Sequence, residues 1–335
     1  MFLDPWSIAL TLCGGMALLL LTIACRTAIR VLRFWNPDSD DQLQIALESE
    51  IWLSSTLVAY GLGFQMIGLL LLVLAADHFA SAIVGAMCAT GSLLANPFGM
   101  PALLIKLGGV FFYGFWILLH QLDIRSEHYP LVRLKFCYLL LLLPLLLGDL
   151  TVQTLYVAGL KPEIITSCCA VVFGGSSGGG TNLLFGYPQQ GLLIAFTTSI
   201  LALSGIAVGL WCCWRSWLAW LYAIGWLWFF GLSLVVITTV VSSYVYAMPY
   251  HKCPFCLLKP EYHYFGFLLY GMLIPATFCG ISGAMSGLMA KRSGLAGVVA
   301  GYQRGAMRLS LVLLWIFAGL SFFHFFKYLV GGGEG

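Results

Sequence analysis

Long apolar stretches separated by short polar breaks run through the whole chain. Eight of these stretches are near 20 residues, the length that a helix needs to cross a hydrocarbon core roughly 30 Å thick. The pattern predicts an all-α polytopic membrane protein, a bundle of about eight transmembrane helices with short loops, with residues 1–335 forming a single integral membrane domain. The predicted spans are Ile8–Cys25, Ile51–Ala76, Ala102–Leu119, Phe136–Ala158, Gly191–Cys213, Leu218–Val241, Phe265–Met289 and Leu309–Phe326.

One further apolar segment, residues 79–100, does not fit this pattern. It is short and is interrupted by Gly85, Gly91, Pro97 and Gly99, residue types that weaken or break a helix. Backbone that is not helical must be surrounded by protein wherever it enters a membrane. We therefore predict a re-entrant or interfacial segment here and not a ninth span.

The composition agrees with a membrane protein. Hydrophobic residues make up 61% of the chain and charged residues 9%, whereas a soluble domain carries roughly 25% charged residues. No block of like charge suggests nucleic-acid binding. The expected surroundings are therefore a lipid membrane, and nucleic acid is not an expected partner.

The positive residues are distributed unevenly between the two sides that eight spans create. Of the 16 Lys and Arg residues, eleven fall on one side and five on the other. Because positive residues gather on the cytoplasmic side, we expect a protein of the cell inner membrane with both termini outside the cytoplasm. The eleven are Arg26, Arg30, Arg33, Arg125, Arg133, Lys135, Arg215, Lys291, Arg292, Arg304 and Arg308.

A Cys-Pro-Phe-Cys sequence, Cys253 to Cys256, lies in the polar break between the sixth and seventh spans. The charge distribution places this break outside the cytoplasm. Two thiols at that spacing are close enough to bridge, and the neighbouring His251 and Lys252 favour the thiolate. Thiols in this setting exchange electrons, bind a soft metal or form a structural disulfide, and the residues alone leave all three chemistries open.

Other residues predicted on the outer side are further candidates for thiol exchange or metal binding. Cys168 and Cys169 are adjacent in the loop between the fourth and fifth spans, and they are further candidates for thiol exchange. Soft ligands suit Cu(I), and cysteine with histidine also suits Zn. The candidate metal ligands are Cys253, Cys256, His251, His263, Cys168, Cys169, Cys88 and His78.

The six residues 253–258, Cys-Pro-Phe-Cys-Leu-Leu, resemble the CxxC segment of DsbB-type membrane disulfide-generating proteins. The resemblance implies a cysteine pair near a bound quinone that receives electrons from a second cysteine pair on a loop. The chain differs from that family in having about twice as many spans. Its second outer pair, Cys168 and Cys169, is also adjacent in sequence and not spaced.

Polar residues also fall within the predicted spans. Lys106 lies early in the third span, Asp149 lies in the fourth, and Gln65 lies in the middle of the second. Charged groups in lipid are costly and usually face the protein interior. We predict that Lys106 and Asp149 pair across two helices, and a proton or ion path is the alternative.

Three functions follow from these features. The first is a membrane thiol–disulfide oxidoreductase in which Cys253 and Cys256 exchange electrons with a membrane quinone, while Cys168 or Cys169 relays them to an extracytoplasmic thiol protein. Quinone is the expected cofactor because no nicotinamide or flavin motif is present. The second is a Cu- or Zn-handling protein that serves assembly of an extracytoplasmic metalloprotein. The third is a transporter built around Asp149.

Overall fold

The structure, a computed structural model, describes residues 3–36, 39, 41–126, 129–161, 189–248, 251–292 and 294–330. Within these residues the chain is helical and contains no β-strand. Eight of the helices are long and apolar enough to span a membrane. This confirms the predicted all-α polytopic fold, and the chain is an integral membrane protein.

We number the main helices α1 to α9 along the chain. All of them except the six-residue helix α3 are candidate spans. Most extend beyond the apolar run that predicted them, because a helix continues past the hydrocarbon core with its polar ends. The bounds are α1 Pro5–Phe34, α2 Gln42–Ala80, α3 Ala89–Leu94, α4 Gly99–Asp123, α5 Val132–Gly159, α6 Gln189–Cys212, α7 Ser216–Tyr246, α8 Phe265–Ser286 and α9 Ala296–Val330.

Contacts between Cα atoms divide the chain into two units. The first comprises Met1–Thr166 with Arg292–Val298, and the second comprises Ser167–Lys291 with Val299–Gly335. The sequence-based expectation of a single membrane domain over residues 1–335 stays a prediction.

In the first unit, α1 packs against α2 and α5, and α4 also packs against α2 and α5. Residues of α1 at helical spacing, such as Ala17, Leu21 and Ala24, are buried in the core, whereas Leu19 and Ile23 on the other face are exposed. Apolar residues on both faces are typical of a helix that packs against protein on one side and contacts lipid on the other.

Residues 79–100 contain the short helix α3 and turns, so the prediction that they do not form a ninth span is confirmed. Asn96 ties this segment to the end of α5, because its Nδ2 donates to the carbonyl oxygens of Tyr156 at 3.0 Å and Leu155 at 3.3 Å. The Ser92 and Tyr156 hydroxyls are 2.6 Å apart. The bond to Tyr156 satisfies one of the last four carbonyl groups of α5, which a helix leaves unpaired at its C-terminus.

Two buried ion pairs lie among the described residues of the first unit, and one was predicted. Lys106 Nζ lies 2.9 Å from Asp149 Oδ2, and Gln65 Nε2 donates to the same oxygen. All three side chains are buried, and the ion pair neutralises both charges within the span. The prediction that Lys106 and Asp149 pair is confirmed.

The second buried pair joins Lys135 and Asp123, with Lys135 Nζ 2.7 Å from Asp123 Oδ2. The other carboxylate oxygen of Asp123 accepts from the backbone N–H of Leu131 at 2.8 Å. Lys135, one of the eleven cations assigned to the inner side, therefore lies within α5 and is buried. The carboxylate of Asp123 compensates the charge that would otherwise make this position costly.

In the second unit, α7 packs against both α6 and α8. The approach of α8 is close at Gly280, where an added Cβ would lie 2.1 Å from the Trp226 ring. Side chains join α9 to this group, because the Tyr222 and Ser310 hydroxyls are 2.8 Å apart. Small residues and interhelical hydrogen bonds are the usual means by which membrane helices associate.

Candidate functional site

The Cys253–Cys256 sequence lies in the irregular connection between α7 and α8. Helix α7 contains a π-helical turn, Ile237–Val241, and ends at Tyr246. Ala247 follows in the left-handed conformation, with φ of 53°, a common way for a helix to stop. Pro254 then prevents a regular helix from forming around the two cysteines.

The two cysteine sulfurs lie close together and away from solvent. Their Sγ atoms are within 4.8 Å of each other. Cys253 is 0% exposed and Cys256 is 6% exposed. Cys256 begins a short 3₁₀ turn, Cys256–Leu258, in which the Lys259 N–H donates to the Cys256 carbonyl at 3.1 Å. The turn fixes the backbone of this cysteine relative to the start of α8.

Two tyrosines from the adjoining helices hold the backbone of the cysteine segment. The Tyr246 hydroxyl, at the end of α7, donates to the carbonyl of Cys253 at 2.5 Å. The Tyr270 hydroxyl, in α8, donates to the carbonyl of Pro254 at 3.2 Å. These bonds satisfy carbonyl groups that have no regular helix to pair them, and they join the middle of the connection to the helix on either side.

Aromatic rings surround the same segment. The ring of Tyr246 lies 4.7 Å from that of His251 and 4.4 Å from that of Tyr262, measured between centroids. Burial raises the pKa of the Tyr262 hydroxyl, and negative charge on Cys256 and Glu261 raises it further. The Tyr262 hydroxyl therefore stays neutral at physiological pH.

The structure brings only part of the predicted metal-ligand set to this segment. His251 is half-buried and packs on Tyr246, whereas His263 is exposed. Among the described residues of the second unit, the two cysteine sulfurs lie within 4.8 Å of each other and neither histidine joins that group. The two thiols, and not the imidazoles, therefore define the site.

The remaining predicted ligands belong to the first unit or lie outside the described residues. His78, in the first unit, has its Nε2 3.2 Å from Asp4 Oδ2 and is about half exposed. Cys88, also in the first unit, is the buried residue that precedes α3. Cys168 and Cys169 lie outside the described residues.

Tyr246 and Tyr270 are site residues that the sequence reasoning missed. Their signal is weak, because tyrosine near the end of a span is common at any membrane interface. Only the fold shows that both hydroxyls point at the cysteine backbone.

Comparison with protein-family models, curated proteins and solved structures finds no match to this chain. The site itself therefore carries the functional argument. Two adjacent sulfurs in a buried segment can form a reversible disulfide or supply two ligands to a soft metal ion.

Proposed function

We propose that this protein is a membrane thiol–disulfide oxidoreductase that exchanges electrons between the Cys253–Cys256 pair and a membrane quinone. The observation that carries the proposal is the approach of the two sulfurs to within 4.8 Å. A modest rotation of the side chains would bring them to the bond length of a disulfide, which is about 2.05 Å.

The proposed reaction is a balanced two-electron exchange. The thiols of Cys253 and Cys256 become a disulfide, and the quinone takes up the electrons and protons that they release to become a quinol. A dithiol of an extracytoplasmic protein then attacks this disulfide, passes through a mixed disulfide, and leaves as an oxidised partner. Cys168 or Cys169 would relay this exchange, and the reverse sequence would use quinol to reduce a partner.

Burial of the pair supports a membrane-dissolved electron acceptor. Cys253 is fully buried and Cys256 nearly so, which limits direct reaction with oxidants in solution. The pair lies in the connection between two candidate spans, α7 and α8, so a quinone diffusing in the lipid would approach it at the ends of these helices. The fixed backbone around both cysteines supports a defined geometry for exchange.

Trapping of a mixed disulfide tests the exchange. We expect Cys253→Ser to trap a partner protein through Cys256, and Cys256→Ser to trap one through Cys253, because each variant lacks the thiol that resolves the intermediate. Cys256 is the more exposed residue of the two, so Cys253→Ser should give the larger yield. Non-reducing gels followed by mass spectrometry measure the adduct.

Cys279→Ser is the matched control for this experiment. Cys279 lies in α8 of the same unit and is only half-buried, so it reports non-specific thiol capture. Adducts that form equally in the Cys279→Ser protein and in both test variants, or that are absent from both test variants, would argue against exchange chemistry.

We also propose that the site faces the outside of the cell, as the distribution of positive charge predicts. A Glu261→Cys reporter, at an exposed position beside the site, should react with a membrane-impermeant maleimide on intact cells. The native Cys213, exposed at the other end of the second unit's spans, should react only after permeabilisation. The opposite labelling pattern would show that the site faces the cytoplasm and would contradict the proposed orientation.

Handling of Cu or Zn is the second function, and the same pair of sulfurs favours it. Because a Zn–S bond is about 2.3 Å long and zinc is tetrahedral, two sulfurs bound to one ion lie about 3.8 Å apart. A small rotation of the side chains would let Cys253 and Cys256, whose sulfurs are within 4.8 Å, occupy two positions of such a site. The other ligands would come from Cys168, Cys169 or a partner protein.

A further inference from the structure

The second unit contains a cavity of about 430 Å³ between the C-terminal end of α6 and the first turns of α9. Polar, aromatic and apolar groups converge on it. None of the described residues that line it is acidic. The lining includes Leu210, Trp211, Trp214, Gln303, Arg304 and Arg308.

Two arginines give this cavity its charge. Arg304 and Arg308 lie one helical turn apart on α9, and both are exposed. Within the described residues neither takes part in an ion pair. The Arg308 guanidinium lies 4.7 Å from the centre of the Trp211 ring, a cation–π contact that orients the group and keeps its charge and its N–H donors.

The surroundings of the cavity resemble a membrane interface. Trp211 is 62% exposed and Trp214 is 38% exposed, and tryptophan concentrates at the level of lipid headgroups. The apolar run of α9 begins at Leu309, directly after Arg308. The two arginines therefore lie where the helix changes from polar to apolar surroundings.

An apolar cleft adjoins the cavity and shares part of its lining. Leu210, Trp214, Gln303 and Met307 line both. The other walls of the cleft are small or apolar groups, including Ala219, Cys279 and Gly283. The cleft has a volume of only about 10 Å³, too small for a hydrocarbon tail. An amphipathic anion would therefore place its head in the cavity and its tail in the surrounding lipid.

We propose that this cavity binds the phosphate of an anionic phospholipid headgroup. Arg304 and Arg308 would donate to the phosphate oxygens, since guanidinium groups match phosphate geometry. Trp211 and Trp214 would pack on the glycerol region, and the acyl chains would stay in the surrounding lipid. Basic pockets between membrane helices on the cytoplasmic side are suited to such headgroups.

Lipid titration of the delipidated, detergent-purified full chain tests this site. Phosphatidylglycerol should raise the unfolding temperature in a saturable way, because a ligand that binds only the folded state stabilises it. Phosphatidylcholine should not, since its headgroup is neutral overall. Arg304→Gln/Arg308→Gln should weaken phosphatidylglycerol binding by about 30-fold, from the contribution expected of two arginines near an anionic lipid.

Arg215→Gln/Lys291→Gln is the matched control. It removes two exposed charges from the second unit without touching the cavity lining, and it should bind as the wild type does. Trp211→Leu should weaken binding less than the arginine double variant. Wild-type affinity in the arginine double variant, or equal binding of both lipids, would overturn the proposal.

Two further measurements separate the lipid from other ligands and other functions. Glycerol 3-phosphate supplies the same phosphate without a tail and should bind more weakly than the lipid; equal affinity would identify a soluble phosphate ligand and overturn the lipid assignment. Native mass spectrometry should count one retained phosphatidylglycerol per wild-type chain. Cys253→Ser should retain it as well, because this site does not depend on the proposed redox reaction.

Discussion

Cys253→Ser and Cys256→Ser are each expected to abolish electron exchange with quinone, leaving only the uncatalysed background rate. A serine hydroxyl cannot form a disulfide, so either replacement removes the two-electron couple completely. The measurement is the absorbance change of a soluble quinone analogue mixed with the reduced protein and a dithiol substrate.

Two controls make the result specific. Cys279→Ser should keep the wild-type rate, because Cys279 lies in α8 apart from the paired sulfurs. Thermal unfolding should show that both serine variants fold, since a hydroxyl replaces a thiol of similar size. Substantial activity in either folded variant would show that the cysteine pair does not carry out the electron exchange.

The second large effect concerns stability. We expect Asp123→Ala to lower the free energy of unfolding by about 3–5 kcal/mol, the range for removing one partner of a buried ion pair. The ammonium group of Lys135 and the N–H of Leu131 would both lose their partner. Because folded proteins are stable by only about 5–15 kcal/mol, this loss is a large part of the total.

An exposed ion pair in the same unit provides the comparison. Glu50→Ala removes the carboxylate that pairs with Arg30, and both side chains of this pair are more than one-third exposed. The substitution should lower the free energy of unfolding by only about 0–1 kcal/mol. Asp123→Leu/Lys135→Met should recover much of the stability, because it removes both charges together. An Asp123→Ala protein as stable as the Glu50→Ala protein would contradict this account of the pair.

The sequence was sufficient for features that depend on length and charge. Apolar runs predicted all eight spans, because only a helix satisfies its own backbone in lipid. The Lys106–Asp149 pair was predictable because two opposite charges in neighbouring spans have no inexpensive alternative to pairing.

Other features depend on tertiary geometry that no local pattern carries. Lys135 resembled an ordinary loop cation, and only the position of Asp123 beside the first turn of α5 explains its burial. In the same way, the His251 ring packs on Tyr246 and does not join the sulfurs. Side-chain direction in an irregular connection is decided by packing against the helices that flank it.

Equilibration of the wild-type protein with quinone tests the central claim most directly. Anaerobic protein would be held at fixed ratios of quinone to quinol, and alkylation with mass spectrometry would count thiols in the peptide that contains Cys253 and Cys256. The account predicts a disulfide fraction that follows the quinone ratio with a two-electron slope of about 30 mV per tenfold change. Thiols that stay reduced at every ratio, in protein that holds one Cu or Zn ion per chain, would contradict it.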